Sequence, residues 1–534
     1  MSTQRKYWGW GYENQKIDAK ALKKTISFLC QALNVENKIA QHPLPIEEVK
    51  LREPRFQLNE TISKLCSYDR YDRLSHTYGK STSDIVKGLR GEFPNPPDYV
   101  AFPKTEDDIQ KLITFAEENT LSLIPYGGGS SVVGGIEPTK NIRYNGTVSV
   151  DMKHFDQLLE IDETSRCAKF QAGVYGPALD SALKPYNLTL RHFPQSYEFS
   201  TLGGWIATRA GGHYATLYTH IDDLVESVRI VTPKGISETR RLPGSGAGPS
   251  EERIVLGSEG IFGFITEAWV RLQDTPKYKT TTTLLFKKYD DAINATRKIA
   301  QSGLFPSNCR LVDPLESFSM GLGDGNSSVL LLGFESASCP VDDKLNQAIS
   351  LCHEFSPKQI QNIGQNKDQQ TSEDANSWKQ SFLQAPYLRD ELLQMHILAE
   401  TFETAITWDK FEAFNKRLKS EVQKCIIDTC GSGFITCRFT HVYPDGPAPY
   451  YTVVAKTEAG KEIEQWQKIK DVACSIIIEM GATITHHHAV GKDHRPYYEQ
   501  QRSPFLNDIL SASKDRLDPK GILNPGVLIS ERDE

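Results

Sequence analysis

A run of three glycines, Pro125-Tyr126-Gly127-Gly128-Gly129-Ser130-Ser131, constrains this chain more than any other feature. Without Cβ atoms, successive backbone N–H groups can converge on one anionic group. The run closes a strand-helix-strand unit. Asp98-Tyr-Val-Ala-Phe-Pro reads as a short strand, and Thr105-Glu-Asp-Asp as a helix cap with acid in its first turn. Helical periodicity then continues to Asn119, and Leu121-Ser-Leu-Ile-Pro125 reads as a second strand. The spacing matches neither G-x-G-x-x-G before a helix nor G-x-x-x-x-G-K-[ST], so it supports neither a Rossmann nor a P-loop site. Alone, such a run also fits a flexible turn.

The 534 residues suffice for three to four domains at roughly 150 each. Lys+Arg 61 against Asp+Glu 68 leaves a net charge of -7, which argues against a nucleic-acid binder with a broad basic face. At 39% hydrophobic and 24% charged residues, the chain can build large cores and is not disordered throughout. No stretch approaches the roughly eighteen apolar residues of a membrane span. The polar, aromatic start (KYWGWGYE) lacks a signal-peptide core, so a soluble intracellular protein is expected. The ten cysteines include no CxxC pair, and the Cys425, Cys430, Cys437 spacing suits no common zinc motif, so buried thiols are expected. There is no internal repeat.

Residues 17–34 carry apolar side chains at helical spacing, and 43–98 are irregular, ending at Pro94-Asn95-Pro96-Pro97. Short β-branched strands follow to 275, giving an α+β fold class. From 276 to 440 strands (TTTLLF, SVLLLGF) mix with helices, and the polar stretch 359–376 is linker-like. After 441, two strands flanking a helix are expected, the second being Ala482-Thr-Ile-Thr485. It leads into His486-His487-His488. In extended chain His486 and His488 would share one face and His487 the other. Imidazoles change charge near neutral pH, so they can exchange a proton with substrate or hold a phosphate. They can also chelate a metal, but no acidic or cysteine companion is evident, so no metal is assigned. Arg310 and Arg438 lie in apolar strands, where a guanidinium needs an anionic partner, either a salt bridge or a ligand.

The triple-glycine loop is joined, in order, by Ser196 to Gly212 (SYEFSTLGGWIATRAGG), Gly257 to Thr266 (GSEGIFGFIT) and Asp518 to Gly526 (DPKGILNPG). Together these resemble the vanillyl-alcohol-oxidase/PCMH flavoprotein superfamily. The resemblance implies FAD bound by Pro125, Tyr126, Gly127, Gly128, Gly129, Ser130 and Ser131 at the pyrophosphate. It adds Gln195, Ser196, Tyr197, Glu198, Phe199, Ser200, Thr201, Thr208, Arg209, Ala210 and Gly211, then Glu259, Gly260, Ile261, Phe262, Gly263, Phe264 and Ile265. Non-covalent FAD is implied, because the loop carries Tyr126 and no histidine, and His213 lies in another segment.

Adding Asn308-Cys-Arg-Leu-Val-Asp, Cys437-Arg-Phe, Tyr450, the histidine triplet, YWGWGYE and ETFETAITWD narrows this further. The chain looks like the alkyldihydroxyacetonephosphate synthase family over nearly its whole length. That implies a PCMH-type FAD-binding domain over 93–275, an α+β cap over 276–500, an N-terminal helical segment over 1–92, and a tail, 501–534, returning to the FAD domain. It implies exchange of the acyl chain of acyl-dihydroxyacetone phosphate for a long-chain fatty alcohol without net redox. Tyr450, His488, His487, His486 and Arg310 are implied as catalytic, Arg438 as substrate-binding, and Thr201 beside the flavin. Tyr451 competes with Tyr450, since only one can face the site from a strand. The family also implies a homodimer, peripheral membrane contact and peroxisomes, although the chain ends Ile-Ser-Glu-Arg-Asp-Glu without an S-K-L signal. Two alternatives stand: an FAD-dependent D-2-hydroxy acid dehydrogenase, and a non-catalytic flavin-binding lipid carrier or scaffold.

Overall fold

Thr105 begins the helix of the strand-helix-strand unit as a reciprocal cap: its Oγ1 accepts from the Asp108 amide at 3.2 Å, and the Asp108 carboxylate accepts from the Thr105 amide at 3.1 Å. The helix Glu106–Asn119 ends at Thr120, whose φ of 53° turns the chain into the strand Leu121–Tyr126. In the computed structural model, which describes residues 4–15, 19–35, 40–319, 325–363 and 386–531, this unit builds a four-stranded sheet. Its order is Cys66–Ser67, Tyr99–Ala101, Gly146–Asp151, Leu121–Tyr126. The first strand comes from the segment upstream of the proline cluster, so that segment is built into the sheet. Leu523 bridges Leu123, which brings the C-terminal tail against the same sheet. A second, antiparallel sheet orders Leu158–Asp162, Cys167–Gln171, Phe264–Arg271, Val225–Thr232 and Gly235–Glu238.

A seven-stranded antiparallel sheet follows. Its order is Lys358–Ile363, Tyr278–Phe286, Ser328–Ser336, Asn308–Val312, Gly433–Val442, Pro447–Lys456, Ile397–Glu403. Successive side chains on a strand face opposite ways. Cys437, Phe439, Tyr451 and Val453 therefore enter a core with the helices Tyr289–Ala300, Asp342–Cys352, Trp408–Cys430 and Glu462–Glu479. Arg438 and Tyr450, directly paired across the ladder, face the other way.

That alternation breaks once. The register shifts between Phe439 and His441, so His441 pairs with Ala448. Ala448 shares a face with Tyr450, and the extra residue thus turns His441 onto the Arg438 face.

Two expectations need correction. Ala482–Thr485 is not a strand, because the chain there is irregular and curls around a carboxylate described below. The linker-like stretch 359–376 begins inside an edge strand, Lys358–Ile363, which pairs with Tyr278–Phe286; the remainder lies outside the described residues. The helix expected over 17–34 is seen as Ala19–Ala32. All ten cysteines are free thiols. No described helix is long and apolar enough to cross a membrane.

Candidate active site

The glycine loop packs so tightly on residues 199–201 that side chains are excluded. A Cβ on Gly128 would collide with the Phe199 carbonyl, and one on Gly127 with the Thr201 hydroxyl. Gly129 has a φ of +71°, which favours glycine. Among the described residues, nothing accepts from the amides of Gly127, Gly128, Gly129 or Ser130. Four neighbouring donors on a partly exposed loop suit a pyrophosphate, so the cradle fits FAD. Around it, Thr201 caps the helix Leu202–Thr208, its Oγ1 accepting from the Gly204 amide at 3.3 Å. Gly260 lies against the Pro125 ring.

Some residues expected at the cofactor serve the scaffold with their side chains. Phe262 and Phe264 are buried in the core. Arg209 pairs with Asp222 at 2.6 Å, and the Tyr197 hydroxyl donates to the Gly176 carbonyl at 2.7 Å. The Glu259 carboxylate accepts from the amides of Val490 and Gly491, both at 2.8 Å, and so ties the histidine segment to the FAD domain. Burial raises its pKa to about 7.

The histidine triplet is organised by Glu403, at the end of the strand Ile397–Glu403. Its carboxylate accepts from the amides of His486 at 2.6 Å, His487 at 3.1 Å and His488 at 2.9 Å, and from the Thr485 hydroxyl at 2.6 Å. Three consecutive amides aimed at one carboxylate require a curl, so the alternating arrangement expected for an extended triplet does not occur. Instead the Nδ1 atoms of His486 and His487 face each other at 3.0 Å. Burial alone would raise the Glu403 carboxyl, but the surrounding imidazoles and the Thr485 bond outweigh it and hold the group well below the usual carboxylate range. Burial acts oppositely on the imidazoles: His487 falls to about 3 and His488 is also lowered, with Glu403 opposing in part. The triplet is therefore neutral at pH 7, and a neutral imidazole can accept a proton.

Tyr450 faces this triplet. Its ring centroid lies 6.0 Å from that of His487 and 5.5 Å from that of His488, and its hydroxyl donates to Thr401 Oγ1 at 2.9 Å. Tyr451 points into the core, where its hydroxyl meets Asn415 Oδ1 at 3.0 Å and its ring stacks on Phe402. The strand geometry thus puts Tyr450 in the site. The Arg438 guanidinium lies 4.0 Å from the Tyr450 ring centroid. Burial raises the Tyr450 pKa, and Arg438 and Thr401 offset this only in part, so the phenol is protonated at neutral pH. Arg438 itself is ion-paired to Glu316. A carboxylate thus meets its charge, the salt bridge being one of the two partners that its place in an apolar strand calls for. Arg310, on the neighbouring strand, contacts His213 Nδ1 at 2.8 Å; burial and then repulsion from Arg438 pull its pKa to about 9.

Sequence reasoning missed several residues that complete the site. Glu403 lies in the ETFETAITWD run, where no local pattern marks it, and only the structure puts it at a strand end. His220 and Tyr443 join His486: Tyr443 Oη is 2.8 Å from His486 Nε2 and 2.9 Å from His220 Nε2. His441 supplies the companion that a metal would require. One ring nitrogen from each of His441, His486 and His487 lies within 4.8 Å of the others, so this trio could hold an ion. Arg389, on the helical stretch 386–394, has Nε and Nη2 buried without hydrogen-bond partners, the Asp390 carboxylate standing 3.6 Å off. Its charge contributes to lowering His488. The FAD domain closes the far side, where a Cβ on Gly211 would lie 3.2 Å from His487 Cβ.

Comparison with known proteins agrees with this layout. Residues 97–239 match the FAD binding domain family, and 275–528 match the C-terminal domain of FAD linked oxidases. The alkyldihydroxyacetonephosphate synthase of Dictyostelium discoideum is 30% identical over 524 residues, 93% of this chain and 83% of that one. The chain belongs to the alkyldihydroxyacetonephosphate synthase family. FAD is its cofactor, and the fold is the α+β, PCMH-type fold. A solved alkyldihydroxyacetonephosphate synthase structure superposes with a TM-score of 0.82 at 26% identity, covering 98% of each chain. The mitochondrial D-lactate dehydrogenase [cytochrome] of Arabidopsis thaliana is more distant from this synthase-family chain, at 24% identity over 89% of it.

Proposed function

We propose that this chain exchanges the acyl group of 1-acyl-dihydroxyacetone phosphate for a long-chain fatty alcohol, with fatty acid leaving as carboxylate. The observation that carries the reading is the convergence of a neutral His488, a protonated Tyr450 and the guanidinium of Arg389, ion-paired to Asp390 yet with Nε and Nη2 free of hydrogen bonds, beside the cofactor segments. Arg389 has the donors for a phosphate dianion. His488 takes the proton from the carbon between the ester oxygen and the ketone, and later returns one. Tyr450 donates a hydrogen bond to the ketone oxygen as charge develops there. Glu403 fixes the imidazole and stabilises its transient cation. FAD, when bound, supplies an electrophilic ring nitrogen that keeps the exchange free of net redox. One C–O bond breaks with its electron pair on the carboxylate, one forms to the alcohol oxygen, and the alcohol proton is released.

Arg310 and Arg438 add positive potential on the same sheet face, and Arg438 additionally tempers Tyr450. The same reading carries a homodimer, peripheral contact with the bilayers that hold such amphiphiles, and residence in peroxisomes. The test is anaerobic mixing of the flavoprotein with palmitoyl-dihydroxyacetone phosphate and labelled hexadecanol. Label in an ether product is expected. Flavin bleaching by D-lactate or D-2-hydroxyglutarate with dye reduction, and no ether product, would instead make it a dehydrogenase. Neither reaction would leave a flavin-binding carrier.

A further inference from the structure

The N-terminal arm reaches the cofactor cradle. Arg5 Nη1 donates to the Gly128 carbonyl at 3.0 Å, and its guanidinium lies 5.0 Å from the Tyr175 ring centroid and 4.9 Å from that of Phe199. The Tyr175 hydroxyl donates to the adjacent Gly127 carbonyl at 3.4 Å. The arm is anchored on both sides of this contact. Tyr71 donates to the Arg5 carbonyl at 3.0 Å, and the Trp10 amide donates to Asp390 Oδ2 at 2.6 Å. Trp10 and Tyr12 flank the Phe199 ring, at 6.1 Å and 5.5 Å between centroids.

Two physical points give this arrangement a role. A planar trans peptide sets its carbonyl and the following amide in opposite directions. With the carbonyls of Gly127 and Gly128 held toward Tyr175 and Arg5, the amides of Gly128 and Gly129 are turned to the other side. Those amides are among the four with no acceptor among the described residues. Moreover, Arg5 is half-buried yet forms no ion pair among the described residues, whereas Arg191, Arg229 and Arg438 are all paired. A partly desolvated guanidinium without a carboxylate leaves a positive charge one peptide away from the loop that takes the pyrophosphate.

We propose that Arg5 is a positioning residue for FAD, orienting and polarising the Gly128–Gly129 peptide toward the pyrophosphate, and that the aromatic arm holds it there. Arg5→Gln and Arg5→Lys are compared with the parent protein by flavin fluorescence titration, with ADP as a phosphate-bearing competitor, at low and high salt. The Gln variant is expected to bind FAD and ADP about tenfold more weakly, equivalent to roughly 1.4 kcal/mol. It should also show a flatter salt dependence and an unchanged melting temperature without flavin. Lys, which keeps the charge but not the planar fork, recovers part of the affinity and the salt dependence. Parent-like affinities for FAD and ADP in the Gln variant overturn the proposal. So does a loss that leaves the salt dependence unchanged or accompanies a lower flavin-free melting temperature, because Arg5 would then serve only the fold.

Discussion

Replacing Glu403 with glutamine removes one negative charge and almost no volume from the centre of the site. Oε1 accepts from Thr485 Oγ1, His487 N and His488 N, while Oε2 accepts from His486 N. The glutamine keeps the richer set by placing its oxygen at the Oε1 position, which sets its NH2 against the His486 N–H. Loss of that charge-assisted bond costs roughly 1.5–3 kcal/mol, or a 10- to 150-fold fall in kcat if it is felt in the transition state. The charge acts on the imidazoles as well. Glu403 lies 3.6 Å from His487 Nδ1 and 3.8 Å from His488 Nδ1, where an ion pair is worth about 4 kcal/mol at an effective dielectric of 20, a ceiling of about three pH units. An anion raises a neighbouring imidazole's pKa, so its removal moves the acid limb of kcat/KM to lower pH, by about one unit or more within that ceiling. The assay is the pH profile of labelled hexadecanol exchange between pH 5 and 9 at constant flavin content. An acid limb that stays in place, or moves upward, refutes Glu403 as the electrostatic partner of the triplet.

Tyr450→Phe should lower exchange at least 100-fold with flavin retained, whereas Tyr451→Phe, losing a core bond to Asn415, should cost about 1 kcal/mol of stability and little activity. Equal activity losses would contradict the strand-face assignment. Arg389→Gln should reduce kcat/KM for acyl-dihydroxyacetone phosphate by about 10- to 150-fold, from roughly 1.5–3 kcal/mol of charge-assisted bonding. An unchanged constant would move the phosphate elsewhere. Burial pulls His192, His487 and His494 to about 3. The unfolded chain binds these protons below about pH 6.5 and the folded one does not, so stability is full above that pH and falls as pH drops toward 3. Each histidine contributes a slope of up to about 1.4 kcal/mol per unit. Urea midpoints at pH 7.5 and 5.5 should differ in that sense, and equal midpoints would exclude the neutral buried state.

What the sequence displayed was local or repetitive. The Thr105 cap, the strand Leu121–Tyr126 and the glycine loop each show in neighbouring residues, and Arg438 shows as part of an apolar strand, whereas its pairing with Tyr450 rests on the register of the ladder. What it concealed depended on distant contacts or on a broken rule. The triplet's curl comes from Glu403, 83 positions before His486. For Arg438 the sequence left a salt bridge and a ligand both open, because its counter-charge, Glu316, lies 122 positions away in the chain. Arg389 carries no local pattern and gains meaning only from the partners its nitrogens lack.

The shifted register at Phe439–His441 has a practical consequence. Adding one residue to the partner strand between Ala448 and Pro449, opposite Thr440, would let the ladder run on unbroken, and the hydrogen-bonded scaffold would survive. The imidazole at 441 would nevertheless rotate from the reactive chamber into the greasy layer beneath the helices. Anyone reshaping this enzyme for other alcohols can vary other side chains along those strands, but must keep Arg438, His441, Tyr450 and the residue count.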